Sequence, residues 1–126
     1  MSYKNILLID DDEEDHEIFK MALAFIHDRF ECTTLSNAKN ALEKLVTGEL
    51  SPDIIFLDLN MPLMNGQEFL IEIKRQQKVK EIPVIIFSTS SQQNTIKLVK
   101  EAGARDFITK PDRIDKLVNL LKPILN

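Results

Sequence analysis

The sequence predicts an α/β protein in which a parallel sheet is covered by helices on both faces. Two observations support this prediction. Short apolar runs alternate with longer amphipathic stretches along the 126 residues, and the alternation gives five strand–helix units. Three of the apolar runs carry no polar residue, as expected for strands that are buried on both faces of a sheet. Regular alternation of strands and helices implies parallel strands joined by helices.

The predicted strands are short segments bounded by polar or turn-forming residues. Those with the sequences ILLI, IIFL and VIIF are entirely apolar, whereas ECTTL and DFIT are weaker strand candidates. In chain order, the five segments span residues 6–9, 31–35, 54–57, 84–87 and 106–109.

Apolar residues at helical spacing occupy the intervals between the strands. The five apolar stripes begin at Ile18, Ala38, Phe69, Ile96 and Ile114. Gly48 and Gly103 come after the second and fourth stripes, where glycine commonly ends a helix. Asp112 is the predicted N-cap of the last helix, and Gly66 is predicted to lie in a backbone turn after Asn65.

Right-handed crossovers close five such units into a doubly wound sandwich. For this number of units, the flavodoxin-like strand order 2-1-3-4-5 is the first choice. We expect residues 1–126 to form a single domain, because the sequence contains no linker, repeat or low-complexity segment. For the same reason we expect no built-in output module.

The composition excludes several classes of function. Hydrophobic residues make up 44% and charged residues 29% of the chain, the proportions of an ordinary globular protein. The net charge is −4, and the sequence contains no stripe of basic residues. We therefore expect no direct binding to nucleic acid. No apolar run approaches the length of a membrane span, and acids come after the first strand too soon for a signal peptide. Cys32, the only cysteine, rules out an internal disulfide and suits a reducing cytoplasm.

Polar residues come directly after the strands, at the edge where such sheets bind ligands. The residues just after the first, third, fourth and fifth apolar runs are Asp10, Asp11, Asp58, Ser88 and Lys110. Asp12 is a third acid after the first run, and Asn60 lies two residues after Asp58. Because the carboxyl ends of parallel strands meet at one edge, we expect these side chains to lie together.

Carboxylates that lie this close repel one another, and a hard divalent cation such as Mg²⁺ relieves the repulsion through oxygen ligands. With Mg²⁺ bound, Asp58 is a candidate nucleophile toward phosphorus. Mg²⁺ and Lys110 would neutralise charge on the phosphoryl oxygens, and the Ser88 hydroxyl could hold a further oxygen. Each residue alone has an ordinary explanation, such as the acidic first turn of a helix. Four such positions at four strand ends on one edge favour a site.

Taken together, these residues resemble the receiver domain of two-component response regulators. The matching segments are ILLIDDD, DIIFLDLNMPLMNG, VIIFST and DFITKP, which occur in the family's order and cover essentially the whole chain. The resemblance implies that Asp58 is the phosphoacceptor and a metal ligand. It also implies that Asp10 and Asp11 are the acidic pair, with Asp11 as the direct ligand, and that the backbone carbonyl of Asn60 completes the Mg²⁺ shell.

The resemblance further assigns roles to residues on the fourth and fifth strands. Ser88 is implied to be the switch hydroxyl, and Lys110 is implied to pair with the phosphoryl group. Phe107 matches the switch aromatic of the fifth strand. The Lys110–Pro111 peptide bond is expected to be cis, as such a bond is in the family.

The implied function is that of a stand-alone switch, similar to the chemotaxis regulators, which catalyses only its own phosphorylation and dephosphorylation. A sensor histidine kinase or a phosphotransfer protein supplies the phosphoryl group. The face formed by the fourth helix, fifth strand and fifth helix then changes shape for an unknown protein target. The same face is compatible with a monomer or a weak homodimer. Asn60 and Ser90 are candidates for setting the rate at which water hydrolyses the acyl phosphate.

Three other interpretations use the same fold or chemistry. A phosphatase of the haloacid-dehalogenase type has a second aspartate two residues after its nucleophile, where this chain has Asn60. A flavin carrier needs a phosphate-binding loop after the first strand, where three acids would repel the phosphate. The intact set of site residues disfavours a degenerate scaffold. His16 and His27 are expected at the surface or its boundary rather than in a metal site.

Overall fold

A sheet of parallel strands forms the centre of the molecule. The computed structural model describes residues 3–89 and 92–126 of the chain. The strands span Asn5–Ile9 (β1), Glu31–Leu35 (β2), Ile54–Leu57 (β3), Val84–Ser88 (β4) and Asp106–Thr109 (β5). They are hydrogen-bonded in the order β2-β1-β3-β4-β5, and every pair is parallel. This order confirms the predicted flavodoxin-like topology.

Each strand is followed by a helix, as the alternation of patterns predicts. The helices span Glu13–Ile26 (α1), Ala38–Thr47 (α2), Gly66–Lys74 (α3), Gln93–Glu101 (α4) and Ile114–Leu125 (α5). Asp12 is the N-cap of α1, and its side chain accepts a hydrogen bond from the backbone N–H of Glu14 at 2.9 Å. Gly48 ends α2 in the left-handed conformation with φ +83°, which confirms the predicted glycine cap.

The start of α5 differs from the prediction. Arg113, not Asp112, occupies the N-cap position, and its side chain makes no capping hydrogen bond. The Asp112 carboxylate instead lies 3.1 Å from the Lys116 ammonium, one helical turn further on. The Asp112 carboxylate therefore pairs with Lys116, four residues later, and does not cap the helix.

The helices form two layers, which explains why the central strands lack polar residues. α2, α3 and α4 cover one face of the sheet, and α1 and α5 cover the other. In β1, Leu7 and Ile9 pack in the first layer, whereas Ile6 and Leu8 pack in the second. All four are buried, and burying such a side chain contributes about 1.5–3 kcal/mol. Strands buried on both faces must be apolar at every position.

Backbone hydrogen bonds continue past the strands and fix the residues at their carboxyl ends. The Asp10 N–H donates to the carbonyl of the last residue of β2 at 2.9 Å, and the Asp58 N–H donates to that of β1 at 2.9 Å. The Lys110 N–H donates to the carbonyl of Ser88, the last residue of β4, at 2.8 Å. The sheet itself therefore positions the backbone of these polar residues at one edge.

None of the helices in residues 3–89 and 92–126 is both long enough and apolar enough to cross a membrane. The longest, α1, has 14 residues, and a spanning helix needs about 20 apolar ones. α1 also begins with three acids, Glu13, Glu14 and Asp15.

Candidate functional site

Two buried carboxylates lie side by side where β1 and β3 end. Asp10 is fully buried and Asp58 is 5% exposed, whereas Asp11, on the loop after β1, is exposed. Carboxylate oxygens from these three residues all lie within 4.8 Å of one another. β1 and β3 are neighbours in the sheet, so the strand order itself brings the acids together.

The acids fit a hard divalent cation. Carboxylate oxygens are the ligands that Mg²⁺ and Mn²⁺ prefer. The Oδ2 atom of Asp10 is buried, and the Lys110 ammonium 2.8 Å away is shared with Asp15 and Asp58. A buried carboxylate oxygen costs free energy unless positive charge compensates it. Asp10, Asp11 and Asp58 therefore supply both the oxygen atoms and the electrostatic reason for binding a metal.

Asn60 lies on the loop after β3. Its backbone N–H is directed toward the Oδ1 atom of Asp58 at 3.4 Å, a long hydrogen bond that helps to orient the carboxylate. The Asn60 side chain is exposed. The role of its carbonyl as a metal ligand stays a prediction.

Lys110 supplies positive charge from the end of β5. Its Nζ lies 2.6 Å from Oδ2 of Asp15, 2.8 Å from Oδ2 of Asp10 and 3.6 Å from Oδ2 of Asp58. The lysine side chain is only 10% exposed. Lys110 therefore lies among the acids, as the strand ends predict. Asp15, which is 95 residues away in the chain, was not among the predicted site residues.

Burial and charge act in opposite directions on these groups. Burial raises the pKa of Asp10 to about 6, and Lys110 opposes this rise. Burial also raises the pKa of Asp58, against the influence of the same lysine. Burial alone would lower the pKa of Lys110, but Asp10 and Asp15 more than offset it and raise that pKa. Lys110 is therefore a permanent cation, whereas burial disfavours the charged forms of Asp10 and Asp58.

His16 lies beside the site, although it was expected at the surface or its boundary. It is 7% exposed, and its Nε2 lies 2.5 Å from the backbone carbonyl oxygen of Asp10. Because a carbonyl can only accept, Nε2 carries the proton and donates it. The bond fixes the backbone between β1 and α1. Counting back from the buried Phe19 at helical spacing places both Asp15 and His16 on the inner side of α1, a signal that could have found them.

Gly66 allows α3 to begin directly against the backbone at Asp58. A Cβ atom at Gly66 would overlap the carbonyl oxygen of Asp58 and lie 2.8 Å from the Cα of Leu59. Gly66 is the first residue of α3, and Asn65 and Glu68 form a capping box around it. The prediction of a backbone turn at Gly66 is wrong, because the glycine is required for close approach.

Known proteins share this sequence pattern and fold. The sequence matches the response regulator receiver domain over residues 6–122. The chain belongs to the receiver domain family. Two-component response regulator ORR11 of Oryza sativa is 34% identical over 121 residues, which cover 96% of this chain and 80% of the relative. Two-component response regulator ORR6 of Oryza sativa subsp. japonica is 37% identical over 114 residues, which cover 89% and 65%.

Solved structures superimpose closely on this receiver domain. The phosphorylated cyanobacterial phytochrome response regulator RcpA gives a TM-score of 0.87 at 31% identity, with 98% of this chain and 91% of that chain covered. The Mn²⁺-bound form of response regulator Rcp1 gives 0.82 at 28% identity, with 96% and 91% covered. These matches confirm the predicted fold and family. The chain is the receiver domain of a response regulator in two-component signalling.

The two predicted switch residues of this receiver domain lie on neighbouring strands. Ser88 is buried at the end of β4. Phe107, on β5, pairs in register with Ile86 of β4. Its ring is half-buried and packs against the apolar layer beneath α2, α3 and α4. The structure thus brings the aromatic ring to the strand that carries the hydroxyl, and their roles as a switch stay predictions.

Two further expectations concern the rim of the site. The Lys110–Pro111 peptide bond is trans, so the expected cis bond is wrong. Trans is the lower-energy form of most bonds that precede proline, by about 0.5–1 kcal/mol. Ser90 lies outside the described residues.

Proposed function

We propose that this receiver domain is a phosphorylation switch in which Asp58 accepts a phosphoryl group. The donor is the phosphohistidine of a sensor histidine kinase or of a phosphotransfer protein. The observation that carries the proposal is the position of the Asp58 carboxylate, which is buried beside the acid pair and 3.6 Å from the Lys110 ammonium. A nucleophile held between a metal site and a cation suits an electrophile that carries negative charge.

Asp58 must be ionised when it attacks. One of its carboxylate oxygens forms a bond to phosphorus while the bond from phosphorus to the histidine nitrogen breaks, and the imidazole leaves. Burial raises the pKa of Asp58, whereas Lys110 lowers it and so favours the ionised form. In our proposal Mg²⁺ is held by Asp10, Asp11, Asp58 and the Asn60 carbonyl, and when bound it supplies further positive charge at the phosphoryl oxygens.

Lys110 and Ser88 act on the product. The ammonium is close enough to Asp58 to pair with an oxygen added to that carboxylate. The Ser88 hydroxyl, at the end of the adjacent strand β4, donates to another oxygen. Movement of Ser88 toward the phosphoryl group opens room into which Phe107 turns from its half-buried position.

The output is a change in the face formed by α4, β5 and α5. Leu98 on α4 is 50% exposed and Leu120 on α5 is 41% exposed, and both offer apolar surface to a protein partner. Phosphorylation shifts the population of conformations of this face and so changes its affinity for a protein target. The same face supports either a monomer or a weak homodimer.

The domain is a switch and not an enzyme with an external substrate. Asn60 stands where a phosphatase of the haloacid-dehalogenase type has its general acid, so no group there protonates a leaving alkoxide. Water hydrolyses the acyl phosphate at a rate that Asn60 and Ser90 influence. We place the protein in the cytoplasm, where Cys32 stays reduced; burial raises the pKa of this thiol to about 11 and keeps it protonated.

Intact mass after incubation with acetyl phosphate and Mg²⁺ tests the proposal. We expect the wild type to gain one phosphoryl group, and Asp58→Asn to gain none because the amide is not a nucleophile toward phosphorus. Removal of the metal by a chelator should also prevent the gain. Asp12→Asn is the matched control, because Asp12 is an exposed cap of α1 outside the acid cluster, and this variant should still be phosphorylated.

Two outcomes would contradict the proposal. A gain of one phosphoryl group by Asp58→Asn would place the acceptor elsewhere in the chain. Failure of the wild type to gain mass, and to bind beryllofluoride as a phosphoryl analogue, would favour a scaffold without phosphoacceptor activity.

A further inference from the structure

Lys110 is contacted most closely by an acid outside the candidate metal cluster. Its Nζ lies 2.6 Å from Asp15, compared with 2.8 Å from Asp10 and 3.6 Å from Asp58. Asp15 lies in the first turn of α1, whereas the cluster that could hold a metal consists of Asp10, Asp11 and Asp58. The charge of Asp15 therefore acts mainly on the lysine.

We propose that Asp15 is a positioning residue that holds the Lys110 ammonium beside the Asp58 carboxylate. The inference rests on the proposed phosphoacceptor role of Asp58 and concerns the orientation of its lysine. A lysine side chain has four rotatable bonds, and fixing it costs up to about 2 kcal/mol of conformational entropy. The hydrogen bond to the Ser88 carbonyl at 2.8 Å fixes only the Lys110 backbone. Asp15 fixes the other end of the side chain.

The geometry explains how one acid helps a lysine to meet another anion. An ammonium has three N–H donors. Asp15 and Asp10 are close enough to engage two of them, and the third neighbour is Asp58. The side chains of Lys110 and Asp15 are 10% and 25% exposed, so the pair is shielded from water and is stronger than an exposed ion pair. One donor remains for an oxygen that is added on the Asp58 side.

Two possible effects of Asp15 have opposite signs, which makes the proposal testable. If Asp15 acted only through its negative charge, Asp15→Asn would make the site less negative and would speed the reaction with an anionic donor. If Asp15 positions Lys110, the same substitution slows transfer, because the cation is no longer held where negative charge develops. We expect the limiting rate to fall about tenfold.

The test is the rate of phosphorylation of the whole chain by acetyl phosphate in Mg²⁺, followed by intact mass across a range of donor concentrations. Asp15→Asn should lower the limiting rate without raising the half-saturating donor concentration. Asp15→Glu, which keeps the carboxylate, should recover part of the rate. Glu14→Gln is the matched control: Glu14 is an exposed acid in the same helical turn, and its loss should change the rate by less than about twofold.

A second readout does not depend on phosphorylation. In metal-free protein labelled with ¹⁵N-lysine, buried ion pairs slow exchange of the Lys110 ammonium protons with water. Asp15→Asn should broaden or shift the Lys110 Nζ signal, whereas Glu14→Gln should leave it unchanged. Thermal unfolding of each variant checks that the fold is kept.

The outcomes separate this inference from the proposed function. An unchanged or higher limiting rate in Asp15→Asn, with an unchanged Lys110 signal, would overturn the positioning role while leaving Asp58 as the acceptor. Asp15→Asn could instead lose rate and unfold at a lower temperature, with no recovery of rate in Asp15→Glu. That result would assign Asp15 a structural role and would also overturn the positioning role. If the wild type gains no phosphoryl group, the proposed function fails, and the Lys110 signal still tests the contact.

Discussion

Aspartates at the two ends of the sheet occupy opposite electrostatic environments. At the amino-terminal end, Asp53 is exposed, and its Oδ2 accepts hydrogen bonds from the backbone N–H groups of Lys4 and Asn5 at 3.0 and 2.8 Å. These donors lower the pKa of Asp53. At the carboxyl-terminal end, Asp10 and Asp58 are buried, and burial raises the pKa of both.

The difference lies in whether the surroundings of a carboxylate stabilise or destabilise its charge. Asp53, just before β3, accepts hydrogen bonds from the backbone at the start of β1. These donors favour the charged carboxylate and so stabilise the fold. Asp10 and Asp58 are kept from water, and the Lys110 ammonium beside them offsets only part of the cost of burying their charges. The charged form of the same residue type is therefore favoured at one edge by hydrogen bonds and disfavoured at the other by burial.

Among substitutions at the two edges, the largest expected effect is on metal binding. Asp11→Asn replaces one of the three carboxylates of the acid cluster by a neutral amide and should weaken Mg²⁺ binding at least about tenfold, measured by titration calorimetry. Asp53→Asn, the same change at the opposite edge, should leave Mg²⁺ affinity unchanged. Equal losses in the two variants would mean that overall charge, and not the acid cluster, attracts the metal.

The next effect is a pH dependence of stability in metal-free protein. The folded pKa of Asp10 is raised from 3.8 to about 6, so its contribution to stability is full below pH 3.8 and is lost as the pH rises through 6. At pH 7.5, Asp10→Asn should therefore be more stable than the wild type by about 2–3 kcal/mol, and the difference should vanish below pH 4.

Urea unfolding with a chelator present measures this difference. Asn at position 10 still offers an oxygen to the Asp12 N–H, which donates to Asp10 Oδ1 at 3.0 Å, so the comparison isolates the charge. A wild type that is more stable than Asp10→Asn at pH 7.5 would show that the attraction of Lys110 outweighs the cost of burial.

Gly66→Ala tests close packing, and not charge, at the carboxyl-terminal edge of the sheet. The added methyl group overlaps the Asp58 backbone and should lower the free energy of unfolding by about 2–3 kcal/mol. Gly48→Ala is the control, because it carries only the strain of φ +83° and has no atom within 4 Å of the new Cβ. Its cost should be about 1 kcal/mol, and an equal cost in the two variants would remove close packing as the reason for Gly66.

The smallest effect is expected at Asp53 itself. Asp53→Asn weakens two hydrogen bonds to exposed backbone N–H groups and should lower the free energy of unfolding by less than about 1 kcal/mol at pH 7. Because the folded pKa of Asp53 is lowered, this difference should shrink as the pH falls below the ordinary value of 3.8. A difference that grows on acidification would contradict the assignment.

Much of the fold could be predicted because it depends on local patterns. The apolar runs predict strands buried on both faces, and the first polar residue after four of these runs gives the candidate site residues Asp10, Asp58, Ser88 and Lys110. One error arose where a local signal had a competitor. Asp112 is a residue type that commonly caps helices, but its carboxylate forms an ion pair with Lys116.

The strand order, the edge that carries the site and the family of this chain could all be inferred from the order of its residues, because buried strands and helices have distinct periodicities. The contacts between side chains depend instead on how whole elements pack. The packing of α1 on the sheet and beside α5 sets the rotation of α1, and this rotation brings Asp15 to Lys110 and buries His16 against the Asp10 carbonyl. The contact of Asp15 with Lys110 joins residues that are distant in the chain, and the free energy that selects it comes from packing, not from local conformation.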